Sequence, residues 1–97
     1  MEREEYVERV LSIVERVPPG RVTTYGAIAG FLGVGGPRQV GQVMALHGGG
    51  VPWWRVVRAD GSLPPSNADE AHQEHLAEGT PLRSSGKVDL REAYWQP

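Results

Sequence analysis

The chain has no cysteine among its 97 residues. That single absence excludes disulfides, thiolate metal sites and a cysteine nucleophile. It also has no apolar run approaching ~18 residues and no signal-peptide pattern, so the expectation is a soluble, cytoplasmic protein that does not engage a membrane. Lysine is nearly absent, with Lys87 the only one against nine arginines, which reads as genome bias. No Ser/His/Asp set and no pair of carboxylates stands at a spacing that would support hydrolysis. What remains is one domain, residues 1–97. At this size roughly two-thirds of the unfolded surface is buried, enough for one modest core.

The net charge of -2 is not that of a nucleic-acid binder, but its distribution is informative. Residues 1–20 sum to -2 and residues 61–97 to -3. Residues 21–60 sum to +3, from Arg21, Arg38, Arg55 and Arg58 against Asp60. A basic patch on an acidic body can hold a polyanion on one face and repel it elsewhere. Four scattered arginines are the simpler reading on charge alone.

Glu2 to Arg16 predicts an amphipathic helix. Tyr6, Val7, Val10, Leu11, Ile13, Val14 and Val17 form its apolar stripe, and glutamates crowd its first turns. Pro18-Pro19-Gly20 stops it. Thr23 or Thr24 then caps a second helix over Tyr25 to Leu32. Gly33-Val34-Gly35-Gly36 ends that helix, and Pro37 opens a third running to Leu46. Val40, Val43, Met44 and Leu46 face inward on it, leaving Arg38, Gln39 and Gln42 outside. Two short helices on a glycine-rich turn form a helix-turn-helix pattern, although helical hairpins are common. Gly41, in mid-helix, costs about 1 kcal/mol against alanine. Close packing of another backbone is the preferred reason for it, and approach of a DNA backbone the other.

Val51-Pro52-Trp53-Trp54-Arg55-Val56-Val57 follows the run Gly48-Gly49-Gly50. Pro52 fixes its own φ and predicts an extended start to the tryptophan pair. Extended backbone sends successive side chains to opposite faces, so one indole should pack and the other line a cavity or surface. Residues 55–58 and 62–63, joined at Asp60-Gly61, predict a tight β-hairpin. The expected fold is therefore mainly α with a small β-hairpin, a winged helix-turn-helix. Ser66 or Asn67 caps a polar helix from Ala68 to Glu78. His72 and His75 share one of its faces, but no third ligand is evident, so a solvated face is preferred to a metal site. Residues 80–90 read as irregular with at most one short strand. Tyr94 and Trp95 are expected to pack as a lid on the core.

Four ordered stretches now stand together: Val17-Pro18-Pro19-Gly20-Arg21-Val22-Thr23-Thr24-Tyr25-Gly26-Ala27-Ile28-Ala29, Arg38-Gln39-Val40-Gly41, Val51 to Val57, and Leu76-Ala77-Glu78-Gly79. Together they resemble the DNA-binding domain of the O6-alkylguanine-DNA alkyltransferases. Those enzymes carry Pro-Cys-His-Arg-Val where this chain has Pro52-Trp53-Trp54-Arg55-Val56. Their cysteine accepts the alkyl group and their histidine helps make it a thiolate, the species that attacks. Tryptophan does neither. The chain is thus similar to the alkyltransferase-like proteins, the non-catalytic branch in which tryptophan commonly replaces that cysteine.

The resemblance implies a non-enzymatic sensor of O6-alkylguanine in double-stranded DNA, binding the minor groove with the Pro37–Leu46 helix. Tyr25 matches the tyrosine that presses on the target phosphate and helps rotate the nucleotide outward. Arg38 matches the arginine finger that fills the vacated stack. The implied DNA-binding residues are Thr24, Tyr25, Arg38, Gln39 and Gln42. The implied lesion pocket holds Tyr25, Trp53, Trp54 and Ser66, with no catalytic residue, cofactor or metal. Glu78 matches the glutamate of the enzymes' Cys-His-Glu relay and is read, like Arg55, as structural. The lesion would be held and flagged for nucleotide excision repair proteins by a monomer. The runner-up is a winged-helix protein acting in transcription without lesion specificity.

Overall fold

A computed structural model describes all residues, 1–97. Helix α1, Arg3–Arg16, buries Val10, Ile13 and Val14 and keeps Glu4 and Glu5 in its first turn. Burying each such side chain is worth about 1.5–3 kcal/mol, which far exceeds the helix propensity of so short a segment. Strand β1, Thr23–Thr24, leads directly into α2, Tyr25–Leu32. Thr24 is the cap: its Oγ1 accepts the Ala27 N–H at 3.0 Å. The chain then turns through Gly33 and Gly35, both at positive φ, into α3, Pro37–His47. At Gly35 a side chain is excluded, because a Cβ would come within 2.6 Å of the Tyr6 hydroxyl. Helix α1 thereby holds the α2–α3 turn from beneath.

The predicted hairpin is corrected. Strand β2, Val56–Val57, pairs in parallel with β1, Thr23 opposite Val56 and Thr24 opposite Val57. The Asp60-Gly61 turn does form: Gly61 N–H reaches Arg58 O and Arg58 N–H reaches Ser62 O, each at 2.8 Å. What fails is the returning strand. Pro64 and Pro65 have no N–H to give a ladder. Val56 and Val57 are both wholly buried, and a strand buried on both faces suits an interior parallel pair. The expected mainly helical fold with a small sheet is otherwise what the chain forms.

Helix α4, Ala68–Glu78, ends at Gly79 in the left-handed conformation. Residues 80–89 are irregular, with one antiparallel bridge between Leu82 and Val88. Helix α5, Leu90–Ala93, precedes the terminal segment, where Trp95 N–H donates to Val22 O at 2.7 Å. Half of the expected lid is present. Trp95 packs on the main core, whereas Tyr94 is 44% exposed. The backbone is extended at Tyr94, so the two neighbours face opposite ways.

The main core joins α1, α2 and α3 through Val10, Ile13, Val14, Ile28, Val40 and Val43, and reaches Val51 and Val56. A smaller core of Val22, Val57, Val88 and Ala93 lies across the sheet. No helix is long and apolar enough to cross a membrane.

Candidate nucleic-acid interface

Helices α2 and α3 start side by side. A Cβ on Gly26 would lie 3.7 Å from the Pro37 ring. Tyr25, the first residue of α2, and Arg38, in the first turn of α3, are therefore brought to one end of the helix pair. Arg38 is exposed and makes no ion pair or side-chain hydrogen bond. Gln39 is exposed too, but its Oε1 is engaged, accepting the Gly36 N–H at 2.8 Å and closing the first turn of α3. Gln42 points toward α1, beside a small cleft that it shares with Gln39, Tyr6 and Arg3. Thr24 is used by its cap.

A cavity of about 170 Å³ opens beside these helix starts. Tyr25 lines it from α2, and Gly41, Met44 and Ala45 from α3. Trp53 forms another wall, and Leu63, Pro64, Ser66 and Asn67 close the far side. Of the residues expected in a pocket, Tyr25, Trp53 and Ser66 are brought together, and Trp54 is not. Gly41 is also clarified. A Cβ there would meet nothing within 4 Å, so internal packing does not require the glycine. A second cavity, of about 380 Å³, lies on the other side of Leu63 and is polar, lined by Asp69, His72, His75 and Lys87 among others. No three His, Cys, Asp or Glu side chains anywhere in the chain are grouped to hold a metal ion.

The tryptophan pair is presented by a turn, not by the extended backbone expected of it. Pro52, at φ -73° and ψ 72°, sits at the centre of an inverse γ-turn closed by Trp53 N–H to Val51 O at 2.7 Å. A 3-10 turn over Trp53–Arg55 follows. It separates the two rings by another route: their planes stand at 84° with centroids 5.6 Å apart, edge to face.

Trp54 packs into a polar network. Its Nε1–H donates to Glu78 Oε2 at 3.0 Å, and the Arg55 guanidinium lies 5.6 Å from its ring. Arg55 donates through Nε to Glu78 Oε1 at 3.1 Å, through Nη2 to Glu78 Oε2, and through Nη1 to Val17 O at 2.9 Å. Gly20 N–H adds a bond to Glu78 Oε1 at 3.1 Å. His75, itself buried, bonds through Nε2 to Trp54 O at 2.8 Å. Glu78 thus ties the exit of α1, the tryptophan turn and α4 together. Burial pushes its carboxyl up, but the bonds from Arg55, Gly20 and Trp54 and the Arg55 charge outweigh it and hold it below the usual carboxylate range. Tyr25 is the opposite case: burial raises its phenol, and the nearby Arg58 charge offsets only part of the rise.

Sequence reasoning singled out Gly41 for close packing first and not as a cavity wall, and missed Met44, Ala45 and Leu63. Helix periodicity assigns Met44 to the interior without showing that the interior opens there. Arg58 was missed as a neighbour of Tyr25 because the parallel β1–β2 pairing is non-local.

Residues 5–79 match the family described as 6-O-methylguanine DNA methyltransferase, DNA binding domain. A DNA base-flipping protein of Escherichia coli K12 is 39% identical over 98% of this chain and 78% of its own length. Alkyltransferase-like protein 1 of Schizosaccharomyces pombe is 33% identical over the full length of both. The crystal structure of S. pombe Atl1 in complex with damaged DNA containing O6-carboxymethylguanine superposes with a TM-score of 0.85, at 33% identity and complete coverage of both chains. The fold, the ordered motifs and these relatives agree: the chain belongs to the 6-O-methylguanine DNA methyltransferase DNA-binding-domain family, as an alkyltransferase-like member with no cysteine to accept an alkyl group.

Proposed function

We propose that this protein is a non-enzymatic reader of O6-alkylguanine in double-stranded DNA. The observation that carries the reading is the cavity beside the helix-turn-helix, walled by Tyr25 and Trp53 where the enzymes of the family keep a reactive cysteine. Helix α3 lies in the minor groove, with Arg38 leading. The damaged nucleotide rotates out past Tyr25, and Arg38 takes its place in the stack. Extrusion costs a few kcal/mol, and least for a weakly paired base. O6-alkylation removes the N1 proton of guanine and disturbs pairing, so the lesion is the cheaper base to flip. The base then stacks on the Trp53 indole, a contact of about 1–3 kcal/mol, and the alkyl group meets the apolar wall of Met44, Ala45 and Leu63.

With no nucleophile, the bound lesion is retained. We further propose that a monomer holds it, in the cytoplasm, as a flag for nucleotide excision repair proteins. The S. pombe relative seen with damaged DNA supports the ligand class. The test is binding to paired duplexes differing only in guanine or O6-methylguanine, at fixed salt, since the phosphate contribution shifts affinity by orders of magnitude. Tighter binding of the lesion duplex, with the methyl group intact by mass spectrometry afterwards, is expected. Equal affinity for the two would overturn the reading in favour of a transcription-type winged-helix binder.

A further inference from the structure

The basic middle of the chain contributes four arginines, and the fold uses them unequally. Arg21 is engaged through Nη1 with the Glu92 carbonyl, and Arg55 with Glu78 and the Val17 carbonyl. Arg38 and Arg58 are exposed, and neither makes an ion pair or a side-chain hydrogen bond. Arg38 has a place in the reading above. Arg58 does not.

The sheet register locates Arg58. Thr24 pairs with Val57 in parallel, so the next residues, Tyr25 and Arg58, leave the ends of adjoining strands together. Tyr25 lines the cavity, and Arg58, though not in the cavity wall, leaves the sheet beside it. The tyrosine phenol senses that charge. The carboxylate nearest in sequence, Asp60, does not neutralise it. Asp60 accepts from Ser62 N–H at 3.0 Å and Ser62 Oγ at 2.6 Å through Oδ1, and its Oδ2 pairs with Lys87 at 3.2 Å. An unpaired, always-charged fork beside a tyrosine at the mouth of a cavity suits a phosphodiester.

We propose that Arg58 binds a backbone phosphate of the DNA strand whose nucleotide turns into the Tyr25–Trp53 cavity, forming with Tyr25 a two-sided clamp on that strand. The assignment rests on the reading above for which strand is held, but not for whether Arg58 touches phosphate. A phosphate contact positions the duplex and carries no base information. Its loss should therefore weaken binding to every duplex alike.

The experiment measures affinity against salt for the intact protein, Arg58→Ala and Arg58→Lys, on guanine and O6-methylguanine duplexes. Arg58→Ala should lose about tenfold on both duplexes, the value of one charge-assisted bond. The slope of log affinity against log salt should become shallower by about 0.9, one phosphate's counterion release. Arg58→Lys should restore the slope. An unchanged slope and affinity in Arg58→Ala overturns the proposal, as does a loss confined to the lesion duplex, which would mean base or pocket recognition. The guanine duplex gives the slope even if lesion preference proves absent, so the two readings fail separately. Arg58 is exposed and without partners, so an unaltered thermal melt accompanies the expected result.

Discussion

Adjacent tryptophans of one residue type have been given different work by a single turn. Trp53 presents its indole to the cavity, and Trp54 spends its only donor on Glu78. Trp53→Ala should remove a stacking face worth about 1–3 kcal/mol, so lesion affinity should fall roughly ten- to hundred-fold. A fluorescence or anisotropy titration against the lesion duplex checks this. Trp54→Phe keeps an aromatic ring, though a smaller one, and removes the Nε1–H, so it should cost at least about 1 kcal/mol of stability in a denaturant melt. Glu78 gives a pH signature. Its folded carboxyl lies below its unfolded value of about 4.3, so the native state binds fewer protons and stability rises with pH. The stabilisation is complete above that value and lost as pH falls through the folded one. Glu78→Gln should flatten this acid limb in melts followed from pH 6 to pH 2 (set on the order of the carboxylate range). Asp60 is also held low, chiefly by Ser62 and then Lys87. It is solvent-exposed, so its share should shrink in high salt while that of Glu78, only 12% exposed, persists.

Among the elements, α3 combines a cap, a proline start and a glycine that nothing inside the chain demands. Gly41→Ala should therefore stabilise the free protein by about 0.5–1 kcal/mol, the ordinary helix-propensity gain. It should also weaken lesion binding, because the new methyl stands at the cavity wall. A raised denaturant midpoint together with a lower duplex affinity is the expected pair. Legibility in the sequence divides at the same level. Helices α2 and α4 were readable to the residue because their signals are local: the Thr24 cap, Pro37 beyond the glycine turn, and Gly79. The β1–β2 pair was not, because two valines next to a turn suit a hairpin as well as a distant partner, and only burial on both faces decides. The site was legible where a side chain announces itself, as at Tyr25, Arg38 and Trp53. It was not legible at Gly41, Leu63 or Arg58, whose roles come from what stands opposite them.

For the molecule as a whole, the ends of the chain secure the middle. Trp95 packs on the main core and ties its backbone to Val22, beside the smaller core. Trp95→Ala should cost about 2 kcal/mol, below the range for a fully enclosed aromatic because the ring is only partly buried. Since Trp95 does not line the Trp53 cavity, lesion affinity measured well below the melting temperature should be unchanged. The Glu78 network has a consequence for how readily this fold changes its trade. The Glu78 carboxylate, which matches the relay glutamate of the enzymes, is held by Gly20 N–H, the Trp54 indole and Arg55. On the proposed function, a reader that holds a lesion can keep the backbone of the enzymes it resembles, with Trp53 at a cavity wall and Trp54 tied to Glu78.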